Sequence, residues 1–365
     1  MIAALRAFGD RVLGRGEAAI TVPIFDGALK PNQMLADAEI VGQFDDANDI
    51  ATDGKTLLVA DGEQVVRIGD GGGTEIDRFD RGITALHALP DGGLAVALAG
   101  EEVRIVGGPS GGRRWTDVGG TPFHAVNAIC SMSDGTLAVT DGSRDNDCAH
   151  WTHDLMERGA NGRLVFLDRG SGAAREGAQG LEYAFGACAL GAETLVSESW
   201  RHRLLAIEPQ GRRRIVLDRL PVYPSRIVAA ADGGFWLTAF AARTQLVEFV
   251  LREPAFRRRM MKEIAPEHWI APRLRSGQSF LEPMQGAHLR TMGVLKPWAP
   301  PRSYGLVIRL SSEGTPLYSL HSRVDGVNHG IVAAIEVGGF LYMLAKGPGR
   351  LIRLALVDIE KEVAA

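Results

Sequence analysis

The chain lacks the residues that would tie it to several large classes of function. It has only three cysteines in 365 residues, Cys130, Cys148 and Cys188, and none has the spacing of a metal site. Cys130 and Cys188 fall in apolar, strand-like runs, where a free thiol serves as a small buried hydrophobe rather than as half of a disulfide. No segment approaches the ~20 apolar residues that cross a bilayer. The opening MIAALRAFGDRVLGRG carries acid and base within its first eleven residues, which argues against an export signal. A cytoplasmic protein with no membrane partner is expected. There is no basic excess either: the net charge is -4 and the pI about 6.2, so no nucleic-acid partner is expected. Nor is there a nucleophile elbow, and the glycine-rich GDGGG (69–73) lacks the following helix that would make it a phosphate cradle.

What the chain has is glycine, 45 residues of it, and a repeat. Six times a short apolar strand enters a DG- or GG-type turn and leaves as a second apolar strand. The copies begin at Asn48 (NDIATDGKTLLVA), Ile83, Asn127 (NAICSMSDGTLAVT), Phe185, Ser225 and His329 (HGIVAAIEVGGFLYM). Third strands follow at 65–68, 102–106, 162–167, 202–207, 305–310 and 349–354. A several-stranded unit recurring about every 40 residues predicts an all-β, six-bladed β-propeller. Such a ring converges on a central channel, so residues that begin the innermost strands become the candidates for function.

The last repeat supplies only three strands, and AEIVGQF (38–44) is an orphan strand ahead of the first. Pairing the two would close the ring and remove two exposed edges. Residues 1–37 are expected as a short helix and an extended arm on the outside, and 38–365 as the propeller. Insertions interrupt blade three at about 141–160 and blade five at about 239–304. The second contains VEFVLREPAFRRRMMKEI, where Phe249, Phe256, Met260 and Met261 have helical spacing and Arg257, Arg258 and Arg259 form a solvated face. A loop of that length points to a lid or an assembly surface, and a homo-oligomer stays open.

The stretch LPVYPSRIVAAADGGFWLTAFAAR (220–243) resembles strictosidine synthase-like proteins. In the same order so do NAICSMSDGTLAVTDGS, GRLVFLDRGSG, ETLVSES and HRLLAIEPQG. The resemblance runs from about residue 15 to 355. It implies a six-bladed propeller related to gluconolactonase-, paraoxonase- and phosphotriesterase-type hydrolases, most of which hold a calcium ion in the channel through carboxylate and amide oxygens. It also implies where those ligands would fall. Asn48 stands where the family has glutamate, followed by Asp49. Asn127 is kept, but its usual aspartate neighbour is Ala128. Phe185 takes an asparagine position, and Ser225 with Arg226 replace an aspartate–asparagine pair. Asn48, Asp49 and Asn127 are therefore weak metal candidates, and no cofactor is expected, because a guanidinium and a phenyl ring replace oxygen ligands.

Without a metal, His329 becomes the candidate acid or base, Arg226 an anchor for a carboxylate or oxyanion, and Asp49 the nearest carboxylate. Asn48, Asn127, Phe185 and His124 would contact substrate. The expected activity is metal-independent hydrolysis of a small ester, lactone or amide, or carbon–nitrogen bond chemistry. The competing expectations are an inactive propeller that binds a ligand or a protein, and a lactonase that keeps its metal through substitute ligands. Glu198 and Glu336 are read as structural, and His150, Trp151 and His153 as a cluster able to lean over the channel.

Overall fold

A computed structural model describes residues 22–69, 72–278 and 303–364, together with Glu282, 290–291 and 294–295 in the intervening stretch. The helix expected near the N-terminus lies outside the described residues. Six four-stranded antiparallel sheets stand around a channel. Their innermost strands, in ring order, are Ala47–Thr52, Ile83–Leu89, Val126–Ser131, Ala184–Leu190, Val222–Ala229 and Ile331–Val337. Each neighbours the next, and the sixth returns to the first. Blade six is completed by Glu39–Gln43, which pairs antiparallel with Arg350–Ala355 in the register Glu39↔Arg353 and Gln43↔Arg350. The ring is thus closed by the orphan strand, and a bidentate ion pair fastens it: Arg353 Nε and Nη2 meet the two Glu39 carboxylate oxygens at 2.8 and 2.9 Å.

The alternation of the strands explains the packing. Each sheet is covered on both faces by its neighbours, so middle strands such as Leu137–Asp141 and Phe235–Ala242 are largely apolar and buried along almost their whole length. The arm from residue 22 lies on the outer strand of blade five. Asn32 Nδ2 donates to Ser319 O at 2.7 Å, Leu35 N to His321 O at 2.9 Å, and Phe25 stacks on Tyr304 at 5.2 Å.

In blade three the interruption carries a short helix, α1 (Trp151–Glu157). In blade five the second strand runs to Ala242, a few residues further than the repeat suggests, and the excursion follows it to Gly305. The single helix expected there is two: α2 (Gln245–Arg252) and α3 (Pro254–Glu263). Pro254 has no N–H to donate and forces Glu253 out of helical geometry, to φ -92 and ψ 82, so the helix restarts at the proline. Phe249 and Phe256 are about half exposed, and Arg258 and Arg259 face solvent. A last helix, α4 (Leu356–Ala364), follows blade six.

Candidate functional site in the channel

The second residue of an innermost strand faces one end of the channel in five blades: Asn48, Thr84, Asn127, Phe185 and Val332. Together with Cys148, Trp151, Tyr183, Arg226, Phe240, Leu274 and Lys346 they line an upper cavity of about 520 Å³, counted to its mouth. Only about 60 Å³ of it can hold the centre of a water molecule, so it is a narrow slot. One wall is aromatic. Phe185 stacks on Phe240 at 5.9 Å, Trp151 meets Phe240 edge-on at 5.3 Å, and Tyr183 stacks behind on Trp200 at 4.4 Å. Trp151 comes from α1 and Leu274 from the blade-five excursion, so both insertions reach over the channel.

One residue further along each innermost strand the side chains shrink to Ala85, Ala128, Gly186 and Ala333, leaving room for Asp49 and Arg226. Gly186 is a close-approach glycine: a Cβ there would sit 2.6 Å from Ser225 O and 2.8 Å from the Cα of Arg226. The Arg226 guanidinium fills that level. Its Nη2 donates to Thr84 O at 2.7 Å, and its Nη1 to Asn48 O at 3.0 Å and to Val332 O at 3.3 Å. Its Nε lies 3.1 Å from Asp49 Oδ1, an ion pair in which the N–H is not aimed at the oxygen. Phe185 stacks over the guanidinium at 5.4 Å. Asp49 also accepts from the amides of Ile50 and Leu86, both at 2.9 Å, which bridges blades one and two. Burial outweighs these partners and pushes its carboxyl up to about 6. Arg226 and Asp49 thus form a floor. Below it lies a second cavity of about 890 Å³, lined largely by alanine and larger aliphatic side chains, where His87 Nε2 and Ser131 Oγ are 2.9 Å apart.

His329 is absent from the cavity wall, which corrects its expected role. Blade six starts at Ile331, so the channel-facing position belongs to Val332, three residues on. The imidazole instead holds the end of the blade-five excursion, at Ser303, to the loop after the blade's outer strand. Its Nδ1 is 2.7 Å from Ser303 Oγ, which bonds Ser276 at 3.0 Å, and its Nε2 donates to Arg323 O at 2.8 Å. Burial lowers its basicity. His124 is likewise absent from the wall; it precedes the strand beginning at Val126, and its amide approaches Asp141 Oδ1 at 3.4 Å. Asn127 lines the cavity while donating to Ala184 O at 3.1 Å. Ser225 does not: its hydroxyl lies between Thr238 Oγ1 and Ile331 O, tying blade five to blade six. Glu336 accepts from Ala231 N at 2.9 Å and from the Trp236 indole, another inter-blade tie.

Lys346 is the channel residue that sequence reasoning missed. The residue after each second strand gives its N–H to a carbonyl just ahead of the same blade: Gly62, Ala99, Gly142, Ser199, Arg243 and Lys346, at 2.7 to 3.1 Å. Four of the six are small. Aligning LAK (344–346) with the ADG (60–62) and TDG (140–142) of blades one and three would have exposed the odd one. Lys346 Nζ donates to Asn48 Oδ1, and no carboxylate lies within ion-pair distance of it among the described residues. Burial, and then Arg226, push its pKa down against the pull of Asp46 and Cys148. No Asp or Glu lines the upper cavity among the described residues, and no three His, Cys, Asp or Glu side chains among them cluster as a metal site.

No family profile matches the chain. Bovine adipocyte plasma membrane-associated protein is 25% identical over 372 residues, covering 92% of this chain and 82% of its own. The Arabidopsis thaliana protein strictosidine synthase-like 6 is 22% identical over 248 residues, which cover 65% of this chain and 56% of its own. Among solved structures, a gluconolactonase from Xanthomonas campestris superposes with a TM-score of 0.54 at 12% identity, over 92% of this chain and 95% of that one. A calcium-binding regucalcin from Agrobacterium tumefaciens does so with 0.52 at 11% identity, over 87% and 92%. The chain is therefore similar in sequence to a strictosidine synthase-like protein and shares its six-bladed propeller fold with these solved structures.

Proposed function

We propose that this protein is a small-molecule enzyme that hydrolyses an ester, lactone or amide in the upper cavity, with the Lys346 ammonium polarising the carbonyl where related hydrolases use calcium. The observation that carries this reading is the placement of Lys346 Nζ against Asn48 in an aromatic slot with no acid in its described lining. A positive charge without a carboxylate partner favours an anion or a developing oxyanion, more strongly in a dry site than in water. Asn127 is the second polar group that can hold the carbonyl oxygen or a substituent. Arg226 and Asp49 position the floor, and both terminal nitrogens of Arg226 already donate to backbone carbonyls.

The donor set at this level does not fit calcium. A hard dication takes six to eight oxygens, whereas here Lys346, Arg226, Phe185 and Val332 crowd the hub, and the oxygen of Asn48 already accepts from an ammonium. Of the three weak candidates, Asp49 faces the guanidinium and Asn127 is bonded across the blade boundary. The test is a panel of lactones, esters and amides with EDTA-treated protein. The expected result is turnover that EDTA leaves unchanged and that Lys346→Met abolishes. Turnover that appears only on adding calcium, or that survives Lys346→Met, overturns the reading. Millimolar calcium is expected to leave Tm unchanged.

One observation favours a second reading, a propeller that binds its ligand without turning it over: neither His nor carboxylate lines the upper cavity among the described residues, so no conventional general base faces a substrate. Quenching of Trp151 by compounds that the protein never consumes would select it.

A further inference from the structure

We infer that Lys346 is a nucleophilic amine that condenses with an aldehyde or ketone in the upper cavity to form an imine. This rests on the cavity being the ligand site, and asks more of it than charge. Of forty basic residues in the chain only six are lysines, and one of them stands at a ring position where four blades have Gly, Ala or Ser. Arginine, the chain's prevailing cation, would supply charge there but no condensable nitrogen. The Nζ contact is a neutral amide, Asn48 Oδ1, rather than a carboxylate that would hold it protonated. A guanidinium lies beside it in the same lining, the arrangement of a second cation and a drying wall that activates amine nucleophiles. Phe185, Phe240, Trp151, Leu274 and Val332 surround the slot with apolar surface, which favours the free amine and the loss of water. The same surface selects a flat, apolar or aromatic carbonyl compound.

The step balances without a further reagent. The Nζ lone pair attacks the carbonyl carbon, and a proton passes from nitrogen to the alkoxide, giving a carbinolamine. The hydroxyl then leaves with the second amine proton as one water, and the nitrogen lone pair closes the C=N bond. Tyr183 and Cys148 line the same slot. Burial raises both, the Cys148 thiol to about 12, so each remains a protonated donor near neutral pH.

The experiment treats the full chain with benzaldehyde and sodium cyanoborohydride, which delivers hydride to the imine carbon and fixes it as a benzylamine. Intact mass and peptide mapping then locate the adduct. One benzyl group is expected on Lys346, formed faster than on the exposed lysines, because the buried amine gives up its proton more readily. Lys346→Arg is expected to lose the adduct. Asn48→Asp keeps the lysine but pairs it with a carboxylate, and is expected to slow labelling and move its pH profile upward. Labelling that spreads over the exposed lysines without enriching residue 346, or that ignores Asn48→Asp in a protein of unchanged Tm, overturns the inference. Hydrolysis without an adduct sinks the imine and spares the proposed hydrolase; an adduct without hydrolysis does the reverse.

Discussion

Arg226 binds three innermost strands through their carbonyls and faces Asp49, and the cost of losing it follows from that arrangement. Arg226→Ala would leave the buried Asp49 carboxylate without its counter-charge and take a donor from three carbonyls, so a loss of about 3–5 kcal/mol is expected from urea unfolding. Adding Asp49→Leu to an Arg226→Met background should recover part of it, since the unpaired charge is the expensive component. A single-variant loss below about 1 kcal/mol would mean that water enters the floor and replaces the guanidinium. Asp49 carries a pH signature as well. Its folded pKa lies above the ordinary carboxylate value, so it favours the native state when protonated, and its contribution declines as pH rises from about 4 toward 6. Asp49→Asn should flatten that part of the stability profile, read as Tm against pH.

At the level of strands and turns, the repeat showed where the blades lie but was weaker on their phase. Asn48, Asn127 and Phe185 were in frame because their strands start where the apolar alternation starts. Blade five defeats that reading: its register shifts twice between Tyr223 and Ile227, so the channel residue of the repeat is not Ser225. In blade six NHG turns before pairing begins at Ile331, with Gly330 at φ 67, and the imidazole points toward Ser303. The aromatic wall was half visible, in the cluster around Trp151, but only a tertiary contact could bring Phe240 to it.

The arm offers an element-scale expectation. Ser319 Oγ donates to Ala28 O, so His321 Nε2 donates to Ser319 and His321 Nδ1 accepts from the Tyr304 hydroxyl, at 2.7 and 2.9 Å. Burial lowers the His321 pKa to about 4, below its value in the unfolded chain. The unfolded chain therefore takes up the proton first, and stability from this group is lost as pH falls from about 6.5 through 4. Hydrogen exchange at Leu35, whose amide donates to His321 O, should accelerate over that window. Exchange at Leu35 that is flat between pH 7 and 4.5, after correction for intrinsic rates, would separate the arm from the imidazole.

Over the whole molecule, closure matters more than any one contact within it. The Glu39–Arg353 pair is solvent-exposed, so Glu39→Gln should leave Tm almost unchanged. Removing residues 1–44 is different in kind. It strips Arg350–Ala355 of its partner and leaves a paired-strand template open to a second chain. Size-exclusion chromatography of that truncation is expected to show association or aggregation. A well-behaved monomer of unchanged Tm would mean that blade six stands on three strands.

The same closure makes the order of manufacture matter. Glu39 and Arg353 are 314 positions apart, so the earliest strand to leave the ribosome waits for nearly the last. Five blades can form on the nascent chain, each from neighbours in sequence, while the toroid stays open. A contact of such long range is entropically slow to find, and it leaves an interval in which an unpaired strand is available to other nascent copies. A premature stop anywhere before residue 350 would make that interval permanent.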